Sequence, residues 1–373
     1  MSVREGGFGR LPRTRMLLAA SAFLLVVGAN PLRAVWSDDL RLTNDAAVSG
    51  TCVNNGWAAA GDSLGRIHVV WQDYRTGGVS QLFYKVFVPG VGWSADTQLT
   101  TTGREDIYAS VACDAAGNLY VIWQGRDVSN TRQIMCRKRD AAGGWQSAEQ
   151  LTSSSYSHYN PAVATGRADT VHAVWFGYEA SSPSTYQVYY AVRTSAGWGS
   201  PVALNSSTNQ QQYPSIAIDR DGGVHTVWRT HIGGYDNMFY RRYSGGAWGD
   251  TERISNTSTA KLPPSVAVDR LGDVHVVWTD YDATGSAQVY YARRDASWHV
   301  EALTSTLYNK GYPSVAADSL NQVHVVWTGK DSSAQVTEQV YYRLGTRAGG
   351  WQKQEQLTSA SSGTRERASV RCL

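Results

Sequence analysis

The sequence predicts an all-β protein, a six-bladed β-propeller of four-stranded blades. Two tryptophan series and the composition carry this expectation. One series falls at Trp71, Trp123, Trp175, Trp228, Trp278 and Trp327, the other at Trp93, Trp145, Trp198, Trp248, Trp298 and Trp351. Both advance by 49 to 53 residues. Six copies of one repeat therefore span about residues 56–358, and a fixed period of this length marks a repeat architecture. With 14 Trp, 21 Tyr and 36 Gly against 17% charged residues, the composition suits a turn-rich β protein better than a helical one.

Taken in chain order, residues 1–34 stand apart. Arg4, Arg10, Arg13 and Arg15 precede the apolar run MLLAASAFLLVVGA (16–29), which is too short to span a bilayer comfortably and is followed by small residues. This is the layout of a secretory signal peptide, with cleavage expected after Ala29 or Ala34, and the mature domain is expected over 35–373. The expected location is extracellular or periplasmic, with no membrane span once the signal is removed. Five arginines against Glu5 give this segment a net charge of +4. Of the formal +3 on the whole chain, about −1 is left for the rest. That balance speaks against a nucleic-acid partner.

Each copy then holds four short apolar or alternating runs, as in PSVAVD, VHVVWTD, AQVYYAR and WHVEALT of the fifth. Val, Ile, Tyr and Trp dominate and no helical period is present, so each run reads as a strand and each copy as a blade. Between the first and second strands lies D-x-x-G, at Asp62–Gly65, Asp114–Gly117, Asp219–Gly222 and Asp269–Gly272. Asp169 and Asn321 stand in the glycine place of copies three and six. Gly, Asn and Asp tolerate the left-handed backbone that such a turn needs, and the leading aspartate can accept hydrogen bonds from turn amides. His68, His172, His225, His275 and His324 share one second-strand position, with Tyr120 in the remaining copy. Equivalent places in different blades lie too far apart to hold one metal ion, so the expected role is a structural hydrogen bond. No cofactor or metal motif is present. The tryptophans three places later are expected to fill the packing between blades.

The ends complicate closure. WSDDLRLT (36–43) resembles a further fourth strand and RASVRCL (367–373) a further first strand. The alternative is therefore a seven-bladed propeller with an incomplete last blade. Four cysteines allow three pairings, among them a Cys52–Cys372 staple across the closure.

In a propeller the second-to-third loops and the blade-to-blade connections share one rim. Here they vary from copy to copy and are rich in Tyr, Asp, Asn, Gln and Arg. Variation on a constant scaffold is where a site is built. Tyr108, Tyr159, Tyr213 and Tyr312 are expected at or just before the start of first strands, near the channel mouth. Aromatic faces beside polar groups suit sugar rings, although tyrosine that merely seals each inner strand is the plainer role. Arg229, Asp73 and Asp280, just past second-strand tryptophans, are the charged candidates.

The repeat resembles the sialidase superfamily and its Asp-box (BNR) repeat relatives. The VHVVW, QVYYR-type and GGW…QLT segments carry the likeness over nearly the whole mature chain. The family's Asp-box, S-x-D-x-G-x-x-W, is degenerate here. Only Asp140 keeps the aspartate, five before Trp145, while Gly90 and Gly245 keep the glycine three before Trp93 and Trp248. The resemblance implies sialidase chemistry, with three arginines on a carboxylate, a tyrosine nucleophile and an aspartate acid/base. The Arg-Ile-Pro motif that normally holds the first arginine is absent, and nothing selects three from Arg75, Arg104, Arg126, Arg132 and Arg229. No catalytic residue is carried over. The expected protein is an exported, sialidase-like, non-catalytic propeller that binds a glycan or surface macromolecule. A glycoside hydrolase of exo-sialidase type and a protein-interaction platform are the alternatives.

Overall fold

The computed structural model describes residues 58–179, 182–205, 207–332 and 337–359, together with Leu40, 42–43, 49–50, Gln335 and 368–372. The expected signal segment lies outside the described residues. Six antiparallel sheets follow one another along the chain, each ordered from an inner through a second and third to an outer strand. Blade two shows the plan: Asp106–Cys113, Leu119–Arg126, Arg132–Arg139 and Glu149–Gln150. The inner strands of the other blades are Ala59–Gly61, His158–Thr165, Gln210–Ile218, Ser265–Val268 and Lys310–Ala317. They line a central channel, where a cavity of about 190 Å³ is bounded by Thr165, Ile218, Val268, Ala317 and Cys372. The chain is thus an all-β propeller of six four-stranded blades. No helix among the described residues is long and apolar enough to cross a membrane.

The repeated residues build the scaffold. Second strands are sandwiched between neighbouring blades, which is why VHVVW is buried along its whole length. Each of their tryptophans is almost fully buried. Burying roughly 200 Å² of indole stabilises the fold by about 5 kcal/mol. The outer-strand tryptophans reach back to the previous blade. Trp145 meets Tyr84 edge-on at 5.1 Å, Trp248 meets Tyr190 at 5.1 Å, Trp298 meets Tyr240 at 5.2 Å and Trp351 meets Tyr291 at 4.8 Å. In blades two, five and six the threonine of the L-T pair ties the blade's connection to a glutamine at the start of the third strand, Thr152 Oγ1 donating to Gln133 Oε1 at 2.7 Å, Thr304 to Gln288 at 2.8 Å and Thr358 to Gln339 at 2.7 Å.

In blades one, four, five and six the turn aspartate stands beside the histidine and the two form one unit. Asp219 Oδ1 accepts from the amides of Asp221 and Gly223, at 2.9 and 2.7 Å. Its Oδ2 lies 3.0 Å from His225 Nε2, and His225 Nδ1 lies 2.8 Å from the Tyr240 hydroxyl on the third strand. His68, His172, His275 and His324 meet Tyr84, Tyr190, Tyr291 and Tyr342 in the same way, at 2.7–2.9 Å. The turns take the expected backbone, with φ of 89° at Gly222, 56° at Asp169 and 61° at Asn321. Burial pushes the His68 and His172 imidazoles down to about 4, so both are neutral in the fold.

The terminal segments take up repeat positions as well. The Val370 amide donates to Ser314 Oγ at 3.3 Å, as Val163 does to Ser110 and Val315 to Ser265. Lys85 Nζ donates to the Leu42 carbonyl at 3.0 Å, as Arg343 does to that of Leu303 at 2.7 Å. Residues 368–372 therefore stand beside blade six as an inner strand would. Leu42 stands beside blade one as an outer strand would. Cys113, Cys136 and Cys372 are free thiols, and Cys52 lies outside the described residues.

Candidate ligand-binding rim

The four tyrosines expected at strand starts sit inside the inner strands instead, and they do not share one role. Tyr108, Tyr213 and Tyr312 have φ of 58°, 56° and 51° and mark bulges, where the register skips between Ile107 and Ser110, Gln212 and Ser215, and Gly311 and Ser314. A bulge leaves the extra residue's amide outside the ladder. Gln72 Oε1 accepts from the Tyr108 amide at 2.9 Å, and Thr279 Oγ1 accepts from that of Tyr312 at 3.1 Å, each from the preceding blade. In blade three the bulge residue is Asn160, with φ of 47°, so Tyr159 is offset by one and faces elsewhere. Three of the four tyrosines are thus bulge residues and the fourth is not.

The offset has a consequence. Tyr159 stacks on Phe176 at 5.4 Å and meets Tyr186 edge-on at 5.7 Å. Tyr186 stacks on Tyr178 at 4.1 Å, and Tyr213 closes the group against Phe176 at 5.2 Å. Burial, first, and contact with the Tyr178 and Tyr159 hydroxyls push the Tyr186 phenol well above its ordinary range, so it is neutral. Phe176 is buried while the four tyrosines are half-buried. Tyr178 and Tyr186 are displayed by the hairpin Val171–Glu179 and Ser182–Thr194, whose third strand is longer than those of the other blades. Neither was singled out from the sequence, although both lie in the Tyr-containing stretch that follows the second-strand Trp175.

Two arginines flank this floor. Arg132 lies 5.8 Å from the Tyr159 ring, and its Nη2 and Nε bond Glu105 Oε1 at 2.9 and 3.1 Å. Arg126 lies 3.5 Å from the same carboxylate, so one glutamate faces two guanidiniums. On the other side Arg229 covers the Tyr213 ring at 4.7 Å. Its Nη1 donates to the Lys261 carbonyl at 3.0 Å, its Nη2 bonds Gln212, and Asp236 lies 3.5 Å away. The result is a strip over blades two to four, an aromatic floor with an anchored guanidinium at each end. Such a strip can stack the C–H face of a sugar and pair with a carboxylate or sulfate on it.

Asp73 and Asp280 do not join it. Asp73 is buried and bonded to Ser49 Oγ, the Trp71 indole and Arg75. Burial alone would raise its carboxyl, but the Arg75 and Ser49 bonds outweigh that and hold it below the usual range. Asp280 is buried between Thr257, Thr259 and the Tyr281 amide, with Lys261 Nζ at 3.4 Å. A carboxylate so fully engaged within the fold has little left for a ligand. Among the described residues Tyr159, Tyr178, Tyr186 and Tyr213 pair with rings and guanidiniums, and none of the four hydrogen-bonds a carboxylate.

No protein-family model matches the chain, and no curated protein matches it in sequence. Solved structures do match in shape. A protein of unknown function from Dyadobacter fermentans aligns at 12% identity and a TM-score of 0.56, covering 74% of this chain and 90% of that one. An ulvan lyase, a polysaccharide lyase bound to a unit of glucuronic acid and sulfated rhamnose, aligns at 14% identity and 0.54, covering 77% of each chain. A Hadza microbial sialidase aligns at 14% identity and 0.52, covering 72% of this chain and 62% of its own length. The likeness is one of fold, a β-propeller.

Proposed function

We propose that this chain is an exported propeller that binds an acidic glycan on the rim over blades two to four and does no chemistry on it. One observation carries the reading, the floor of Tyr159, Tyr178, Tyr186 and Tyr213 with Arg132 and Arg229 fixed at its ends. Export rests on the signal-like segment of residues 1–34, and the predicted location is outside the cytoplasm. The ulvan lyase, held to a carboxylated and sulfated sugar, supports a ligand of that class on this kind of scaffold. The test is a glycan array spanning neutral, sialylated, uronate-bearing and sulfated chains. Beside it run a fluorogenic sialoside assay and an ultraviolet assay for unsaturated uronate. Binding of acidic glycans, weakened at least roughly tenfold by Arg132→Ala, is expected, since a charge-assisted pair is worth that much. Turnover that disappears in Arg229→Ala would replace binding by catalysis, and silence on every glycan would sink the reading.

A further inference from the structure

On the opposite face, one register position breaks the repeat. The third-strand residue facing the outer-strand tryptophan is Phe87, Arg139, Arg193, Tyr243 and Arg294 in blades one to five, and Gly345 in blade six. From blade two to blade five that side chain covers a tyrosine of the preceding blade. Arg139 lies 5.6 Å from the Tyr84 ring, Arg193 5.9 Å from Tyr120, Tyr243 6.3 Å from Tyr190 and Arg294 5.7 Å from Tyr240. Arg294 is also clamped by Glu252, with Nε and Nη2 donating at 2.9 and 2.8 Å, while the Trp298 indole donates to the same carboxylate at 2.8 Å.

Between blades five and six the same cradle stands without its arginine. Glu301 is the register equivalent of Glu252 and accepts from the Trp351 indole at 2.9 Å. Where Arg294 would lie there is a cavity of about 380 Å³, lined by Tyr291, Trp351, Glu301, Asp269, Asp273 and His275 among others. That is room for a guanidinium and several waters at about 30 Å³ each. His275, a residue of the cavity wall, is buried, and the nearest carboxylate oxygen to its Nε2, Asp269 Oδ2, lies 3.5 Å away. Arg293 and Arg347 also line the cavity, and these and the neighbouring Arg343 are engaged. Arg293 pairs with Asp295 at 2.7 Å, Arg347 lies 3.5 Å from Asp273, and Arg343 donates to the carbonyls of Gln352 and Leu303. Gly345 is also what lets the Trp351 ring lie close, since a Cβ there would meet it at 2.8 Å.

We propose that this cavity is a binding site for an alkylguanidinium group, seated against Glu301 and the Tyr291 and Trp351 rings as Arg294 is seated one blade earlier. The group is either a small free guanidine or an arginine side chain of a polypeptide, and the two differ in what surrounds it. The test titrates the full chain with methylguanidinium and with an arginine-containing tripeptide, read by calorimetry and tryptophan fluorescence. A saturable, roughly millimolar affinity is expected for so small a group. Glu301→Gln keeps an acceptor for the Trp351 indole but removes the charge, and should weaken binding roughly tenfold. Gly345→Arg should supply the group internally and abolish binding, and if it does not fold, Glu301→Gln carries the test alone. A tripeptide that binds more tightly than methylguanidinium makes the source a polypeptide, and equal affinity makes it a free guanidine. The absence of saturable binding, or an affinity unchanged in Glu301→Gln, overturns the site.

Discussion

The buried histidines make the fold acid-sensitive between pH 6.5 and about 4, and His172 isolates the effect. Its Nδ1 meets the Tyr190 hydroxyl at 2.7 Å and its Nε2 meets Thr170 Oγ1 at 2.9 Å, so no carboxylate is paired with it. Burial lowers it from 6.5 to about 4, and His68 and His158 are lowered equally far. Between those limits the unfolded chain binds the proton and the folded chain does not. Stability is therefore full above 6.5 and falls as the pH drops toward 4. From pH 7 to pH 5 each such histidine costs about 2 kcal/mol, and the three together about 6 kcal/mol, a large share of the roughly 5–15 kcal/mol that holds a domain folded. Asp62 and Asp219 are held low by their Arg and His partners, which outweigh burial, so their contribution is lost only at pH values below this window. Asp106 is raised by burial and works in the opposite direction, gaining as the pH falls. The assay is urea unfolding at pH 7, 6 and 5 for the native chain and for His172→Gln, which can keep a bond to Tyr190. The variant should recover about 2 kcal/mol of the pH-dependent loss. Equal loss in both proteins, or a native stability flat from pH 7 to 5, would falsify the neutral-histidine assignment.

Trp228→Ala should lower stability by about 3–5 kcal/mol, because the indole is fully buried in the largest core cluster and its loss leaves a cavity; the urea midpoint reads this. Gly222→Val should cost about 1–2 kcal/mol through its φ of 89° alone, with little effect at the rim, so thermal unfolding should shift while any glycan binding is retained. Tyr186→Ala should reduce acidic-glycan binding on the array while leaving methylguanidinium binding unchanged, since the two sites lie on opposite faces. Arg294→Met should destabilise blades four and five by about 1–3 kcal/mol by leaving Glu252 without its guanidinium, measured by thermal melting.

The scaffold was legible because it is repeated. A residue type recurring every fifty positions in five or six copies must be answering the same local demand each time, so Asp219, His225 and Trp228 could be read as structure from spacing alone. The turn chemistry was predictable down to Asp169 and Asn321, whose positive φ follows from their place in a glycine slot. The site was less legible, for a geometric reason. A β-bulge shifts side-chain direction by one residue, and Tyr159 precedes its bulge residue while Tyr108, Tyr213 and Tyr312 are theirs. Similar letters at similar spacing therefore pointed to different neighbours. Asp73 and Asp280 looked available because charge past a strand end usually faces water, but loop hydroxyls, Arg75 and Lys261 fold over them.

A repeat also supplies its own control. At most register positions the six blades agree, and agreement identifies a demand of the fold, as the His–Tyr pairs do. Where one blade departs while the residues around the position keep their types, the consequence can be measured against the other blades. Gly345 is such a place. Glu301, Trp351 and Tyr291 repeat the cradle of Glu252, Trp298 and Tyr240, and only the side chain between them is gone. The hairpin of blade three is another, since its third strand is the longest of the six and Tyr178 and Tyr186 stack there. The two departures lie on opposite faces and use opposite chemistry, guanidiniums offered on one and a guanidinium cradle on the other. One acidic ligand cannot satisfy both, so competition between methylguanidinium and any glycan that binds the rim should be absent.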